Sequence, residues 1–380
     1  MTDTAAEQDF IVVGSGIIGS MVAYRLVTHG FSVMLMDQGP PGGQASRAAA
    51  GILSPSAESG PSLPFLDLLQ KSFERYPDLI AEIEEASQMI VDYKQTGVIQ
   101  AALNDEEAER LQSLYRWQKE QIRLEWVNRE QLKELEPDMG HAQAAVYAPK
   151  EMQVHAPKLV QALVRAGHLA GMKSQFGTVV QRFFTSQSGC VTGVCTTQGN
   201  FWARRAVIVA TGSWAGSLMA TLDGSFGLPV RPIRGQVLSL TGDDLPIRHI
   251  VFAHRRYVVP KPDGRLIVGA TEDDVGFDDR VSAAGVALLT QSFDYFGPRV
   301  RQMNWQKVWA GLRPMAQDGL PVLGPWPGRP GLFVTSGHFR NGVLLAAVTG
   351  EIVLEWALEG TLPPNTFRPE RFFPAPGSEN

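Results

Sequence analysis

Cysteine is scarce: the 380 residues hold two, Cys190 and Cys195. They fall in one predicted strand, where side chains alternate and positions five apart face opposite ways. The pattern speaks against a disulfide within that strand and for a reducing compartment such as the cytoplasm. Basic charge is not in excess either. Thirty-four Lys and Arg against 39 Asp and Glu leave a formal charge of −5, which offers no electrostatic footprint for nucleic acid or an anionic membrane surface. No run of about 18 uninterrupted apolar residues exists to span a bilayer, so no membrane partner is expected. The start, MTDTAAEQD, lacks the positive region of a signal peptide. The seven histidines are scattered; His141, His155 and His168 stand too far apart to be paired ligands on one helix, so no metal is expected. There is no internal repeat and no low-complexity segment beyond the tail APGSEN. What remains is an ordinary globular composition, 44% hydrophobic and 19% charged, long enough for two domains with cores of their own.

The chain is organised around residues 9–37. Phe10 to Val13 form a continuous apolar run suited to a parallel strand buried on both faces. Gly14, Gly16 and Gly19 follow in GxGxxG spacing: the first for a tight turn, the second for close approach to a pyrophosphate, the third for packing of helix on strand. A helix then begins, its free N–H groups and positive dipole end turned to the phosphates. Met21, Val22, Leu26 and Val27 give it an inward stripe and Gly30 ends it. Phe31 to Met36 make a second strand with Asp37 at its tip, where a carboxylate can accept from ribose hydroxyls and would repel a 2′-phosphate. NADP is thereby disfavoured; NAD and FAD stay open at this point.

Small residues from Ala45 to Gly51, in QASRAAAGILSP, imply that something large lies against that backbone. Residues 62–95 read as helical, with Phe65, Leu68, Leu69, Phe73, Ile80, Ile83 and Ile90 on one face. Residues 97–103 read as a strand, DEEAERLQSLYRWQKEQ as a charged amphipathic helix, and 130–135 as a short surface helix. A further helix is expected over 157–166, and strands over 177–180 and 190–196 with the turn SQSG between their extensions. Residues 206–210 form a buried strand ending at Thr211 and Gly212. In a dinucleotide fold such a strand closes the sheet, and here it comes far later than a compact NAD domain would place it. That gap favours FAD, whose domain is often interrupted by inserted substrate-binding segments. Residues 228–305 hold VRPIRGQVLSL, HIVFAHRRYVVPK and GRLIVGAT, read as alternating strands with a hairpin turn at Asp263 and Gly264. The last part returns to the core: a buried strand over 332–335, then a helix from about Gly342 to Leu358 whose N-terminus follows residues 337–341 and aims partial positive charge at whatever they touch.

With QASRAAAGIL, ATGSW, RRYVVPKPDGRLIVGAT, WAGLRPMAQDGLPVLG and GHFRNGVLLA considered together, the chain resembles the FAD-dependent D-amino-acid oxidase superfamily over nearly its full length, and within it the glycine oxidases, which supply an imine for thiamine biosynthesis. The resemblance implies an α/β chain: an FAD-binding Rossmann-like domain with a parallel sheet (1–91, 151–226 and 306–380) and a mainly antiparallel α+β substrate domain (92–150 and 227–305). It implies non-covalent FAD, lined by Ile17, Ile18, Asp37, Gln38, Ala45, Ser46, Ala50, Gly51, Ile52, Val180, His338, Phe339, Arg340, Asn341, Gly342, Val343 and Leu344, beside Gly14, Gly16, Gly19 and Gly212 already singled out. Arg313 of GLRP would hold substrate carboxylate, with Tyr257 and Arg340 close by. The planar guanidinium matches a carboxylate bidentately, which agrees with that role. The implied reaction converts glycine, sarcosine, D-alanine or D-proline to an imino acid and then a 2-oxo acid and ammonia, with oxygen becoming hydrogen peroxide, in a homo-oligomer. The alternatives are a D-amino-acid dehydrogenase passing electrons to quinone and a non-catalytic flavin-binding subunit. Relatives often carry an acid or asparagine at His155, and some a histidine at Arg255.

Overall fold

A computed structural model describes residues 7–59, 62–223 and 227–373; the tail APGSEN and the first six residues lie outside them. The N-terminal unit folds as its pattern dictates: strand β1 (Gln8–Val13), helix α1 (Ile17–Thr28) and strand β2 (Val33–Asp37). β1 is flanked on both sides by parallel neighbours, β2 and Gly199–Val209, which is why its residues are apolar without alternation. Leu332–Ser336 pairs in parallel on the far side of Gly199–Val209. The register puts Val13 beside both Met36 and Val209, and Val209 beside Val334. Four parallel strands therefore end level with one another, and Gly14, Asp37, Ala210 and Thr335 follow directly at one carboxyl edge, the place where open α/β sheets bind ligands.

The helices Leu63–Ser87, Ala156–Leu169 and Gly342–Glu359 pack with α1 over one face of this sheet, joining Met21, Val22, Leu69, Ile83, Leu163 and Leu345 in a continuous core. Among the described residues, Phe339–Glu359 is the only helix long and apolar enough to cross a membrane, and two thirds of its apolar window (67%) is buried inside the fold.

The second sheet has eight strands in the order Asn304–Ala316, Val230–Thr241, Arg265–Gly269, Arg256–Pro260, Ile250–Ala253, Val98–Ala102, Ala144–Ala148 and Glu125–Asn128. All neighbours are antiparallel except Ile250–Ala253 with Val98–Ala102. Its longest strand corrects the sequence reading. Residues 306–316, grouped with the dinucleotide-binding part, run beside Val230–Thr241 here, because the pairing from Val230–Ala316 to Thr241–Asn304 is nearly unbroken.

Three further boundaries moved. The helix expected over 62–95 stops at Ser87, where Gln88 takes a left-handed conformation (φ 54°), and Ile90 lies exposed beyond it. HIVFAHRRYVVPK is two strands, since His254 and Arg255 both have positive φ (46° and 62°) and turn the chain back on itself, as two-residue hairpin turns require. Residues 177–179 connect Lys173–Phe176 to Val180–Thr185 instead of forming a strand. The hairpin at Asp263 and Gly264 is present, with Gly264 at φ 83°, and both cysteines are free.

Candidate active site

At the carboxyl edge of the parallel strands opens a cavity of about 430 Å³ that runs from Asp37 and Gln38 to Tyr257 and Arg313. Its first end is built by the glycine loop. Gly14 has φ 107°, and a Cβ there would meet the Ala210 carbonyl oxygen at 2.4 Å. A Cβ on Gly19 would stand 1.8 Å from the Gly14 carbonyl oxygen, so this glycine sets α1 tightly on the loop without itself lining the cavity. Asp37 organises the loop as well as facing the cavity: Oδ2 accepts from Ser15 N (2.7 Å) and Oγ (2.9 Å), and Oδ1 from Gly39 N (2.9 Å). Of the roughly four acceptor sites of a carboxylate three are taken, which leaves one on Oδ1 for a further donor. At the start of α1 the Ile17 N–H donates to Ser46 Oγ (2.9 Å), tying that start to the small-residue segment.

Of the residues that the family resemblance and the glycine motif assign to the cofactor, all line this cavity but Gly19, Asn341 and Leu344. Leu344 belongs to the core, and its carbonyl accepts from Ser72 Oγ (2.6 Å). Asn341 precedes the Gly342–Glu359 helix, and its Oδ1 is buried without a partner among the described residues. Three hydroxyls that sequence reading missed also lack partners among the described residues, those of Thr178, Thr211 and Thr335, and all three residues line the cavity. Buried polar atoms are rarely left unbonded. Glycines that admit no Cβ, a helix start and orphaned hydroxyls along one elongated cavity fit a dinucleotide such as FAD. His338 is buried, shares a hydrogen bond with Thr349 Oγ1 (3.2 Å), and is held to about 3 by burial, so it is neutral at pH 7.

The second end is carried by the antiparallel sheet. Arg313 stands opposite Ile233, and its Nη1 donates to the Thr271 carbonyl (3.0 Å). A Cβ at Gly235 would lie 2.3 Å from the guanidinium, so the glycine is what leaves the fork its place. Gly269 does the same for Tyr257, whose ring a Cβ would meet at 2.4 Å. Burial pushes the Tyr257 phenol up, against the pull of Arg313 and Arg340, which keeps it a neutral donor. Gly235→Ala is therefore expected to weaken substrate binding by at least about tenfold, the scale of overpacking a filled site, while FAD content stays unchanged. Titration of the oxidised protein with a substrate analogue, followed by flavin absorbance, reads both.

Arg340 differs from Arg313. Its Nε and Nη2 donate to Glu58 (2.9 and 3.1 Å) and its Nη1 to Glu272 (2.6 Å). Glu58, then burial in the opposite sense, then Glu272 set its titration, and the net effect holds the charge on. Burial alone would raise the Glu272 carboxyl; Arg340 outweighs it and the group lies below its ordinary value. Arg255 is exposed, 3.5 Å from Glu272, and His155 caps the Ala156–Leu169 helix by accepting from Lys158 N (3.3 Å). Neither acid was legible in the sequence, because Glu58 ends a four-residue helix and Glu272 sits in a loop, neither with motif spacing.

Glu58 is presented by the short helix Pro55–Glu58, which Glu151 clamps. The buried Glu151 carboxylate accepts from Ser54 Oγ, Ser56 N (2.7 Å) and Ser56 Oγ (2.8 Å). Burial nevertheless pushes it up to about 7. The unfolded chain then loses this proton first as pH rises, so the group's contribution to stability is full below about pH 4.5 and is lost through pH 7. The difference in urea midpoint between wild type and Glu151→Gln should shift in the variant's favour from pH 5 to pH 8; a constant difference would contradict the assignment.

Residues 9–356 match the family described as FAD dependent oxidoreductase. The chain belongs to that family. The glycine oxidase of Geobacillus kaustophilus is 35% identical over 352 residues, covering 91% of this chain and 92% of that protein. The crystal structure of glycine oxidase from the same organism superposes with a TM-score of 0.91, at 34% identity, over 97% of this chain and all of the other. The hydrogen cyanide synthase subunit HcnC of Pseudomonas aeruginosa is 30% identical over 97% of each chain. The protein is an FAD-dependent oxidoreductase of the glycine oxidase type, and its cavity runs from the edge of the parallel sheet to an end lined by Arg313 and Arg340.

Proposed function

We propose that the protein oxidises glycine or a small related amine, sarcosine, D-alanine or D-proline, to the imino acid, which hydrolyses to a 2-oxo acid and ammonia, and that oxygen is reduced to hydrogen peroxide. The observation that carries the reading is Arg313: a guanidinium inside the cavity, with one donor on the Thr271 carbonyl and no carboxylate of the protein within ion-pair distance among the described residues. A charge-assisted bidentate pair with a substrate carboxylate is what such a fork is suited to. FAD, when bound, supplies the hydride acceptor. Arg313 fixes the carboxylate end and neutral Tyr257 donates beside it, so the α-carbon is oriented toward the cofactor side of the cavity. His338, neutral and bonded to Thr349, is not placed to move a proton. The second sheet, which bears both Arg313 and Tyr257, is the substrate-binding part in this reading.

A second reading rests on the likeness to HcnC, a hydrogen cyanide synthase subunit: the same amine oxidation with electrons leaving to a partner or quinone. One assay separates them. Peroxide release across glycine, sarcosine, D-alanine and D-proline, without added dye, supports the oxidase; flavin reduction by these amines with reoxidation in air far slower than with a quinone supports the second. No flavin reduction by any of them overturns both.

A further inference from the structure

The cavity wall at Ala50–Ile52 is backed by a buried lysine. Lys261 follows the strand Arg256–Pro260, is 8% exposed, and its Nζ donates to the Ala50 carbonyl and to Gln153 Oε1 (2.9 Å). Gln153 cannot present its amide the other way round, since Nε2 is committed to Thr96 Oγ1 (2.9 Å) and the Pro260 carbonyl (2.7 Å). Both acceptors of the ammonium are neutral. The acids that act on it from nearby, Asp263 and Asp92, have cations of their own, Arg265 at 2.6 Å and Lys158 at 2.6 Å. His155 is held below its ordinary value by burial and by these cations and adds no charge. Among the described residues, then, Lys261 has no carboxylate partner directly behind the wall; burial lowers it to about 7, so it carries its charge below that pH.

The peptide between Ala50 and Gly51 transmits that charge. It is trans, so its N–H points opposite to its C=O. The carbonyl is drawn back to Lys261, and the Gly51 N–H, which has no protein acceptor among the described residues, is turned the other way, at a residue that lines the cavity. Gly51 is locked there: φ is 77°, a Cβ would stand 1.8 Å from the Val154 carbonyl oxygen, and its own carbonyl accepts from Val154 N (2.8 Å). This stretch belongs to the reacting end. Ala50 and Tyr257 share one apolar cluster, with Ile52 packed against it, and the part of FAD that takes electrons must lie within reach of a substrate held by Tyr257 and Arg313.

We propose that Lys261 is an electrostatic positioning residue, which through the Ala50–Gly51 peptide favours the electron-rich, reduced form of the bound FAD. It touches neither cofactor nor substrate. A cation hydrogen-bonded to a fixed peptide in a low-dielectric wall polarises that peptide's donor, and a donor aimed where negative charge develops stabilises it without reorganisation.

The test uses the FAD-loaded protein and no amine, so its failure leaves the proposed reaction untouched. Lys261→Gln keeps a donor for Ala50 and removes the charge; Lys261→Met removes both. FAD affinity of the oxidised protein is measured by fluorescence quenching and the two-electron midpoint potential by anaerobic equilibration with a reference dye. In both variants the preference for reduced over oxidised FAD should fall about tenfold, a drop of about 30 mV for a two-electron couple. Oxidised FAD should still bind stoichiometrically to Lys261→Gln. A wild-type potential in Lys261→Gln overturns the proposal, and so does a Lys261→Gln protein that cannot be loaded with FAD, which would make the lysine a structural strut only.

Discussion

Arg313→Met should fold, hold FAD near wild-type stoichiometry, and bind glycine or sarcosine weaker by about 30-fold to several thousand-fold. The range corresponds to losing roughly 2–5 kcal/mol of a charge-assisted pair in a partly desolvated site. Methionine keeps much of the apolar length while removing all five donors. The internal bond lost is the one from Nη1 to the carbonyl of the buried Thr271. A misdirected α-carbon should also slow flavin reduction. Anaerobic bleaching of the flavin across substrate concentrations separates affinity from rate. Reduction with wild-type affinity and rate would mean that the carboxylate binds elsewhere; loss of FAD or of the fold would mean that Arg313 is a structural group.

Arg340→Met should behave in the opposite way. Its three donor positions are already taken by Glu58, whose side chain is 10% exposed, and Glu272. Removing the cation leaves two carboxylates close together with no counter-charge, at a cost near the lower end of the about 3–5 kcal/mol seen when buried pairs lose one partner. The expected result is a clear fall in thermal midpoint at neutral pH, with a smaller effect on substrate affinity than that of Arg313→Met. An unchanged midpoint with a thousand-fold loss of substrate affinity would instead make Arg340 a substrate ligand.

The dinucleotide end was legible because its constraints are local. Gly14, Gly19 and Asp37 lie within one strand, turn, helix and strand, and their spacing specifies the contacts that the fold then makes. The late strand at 206–210 could be placed because a buried apolar run followed by Thr211 and Gly212 has few other uses. What could not be read was set by contacts between segments far apart in the chain. Glu58 meets Arg340 across 282 positions, and no periodicity announces such a pair. Lys261 carries no sequence signal of its own, and its bond to the Ala50 carbonyl joins segments 211 positions apart. The helix drawn to residue 95 failed for a local reason: Ile90 keeps the apolar spacing, but the left-handed Gln88 has already ended the helix. Likewise HIVFAHRRYVVPK has strand composition throughout, and only the two positive φ values divide it.

The cavity draws its walls from distant parts of the polypeptide, Gly14, Gly16, Ile17 and Ile18 on one side and Thr335, Ser336, His338, Gly342 and Val343 on the other, with Ala210 to Trp214 between. During synthesis the glycine loop thus leaves the ribosome long before the strand and helix that complete its socket. Capture of FAD has to wait for the last of these, and the flavin then stabilises only chains in which early and late segments have already met. Flavin supply should accordingly raise the yield of soluble protein by trapping the finished fold, rather than by guiding the first steps of collapse.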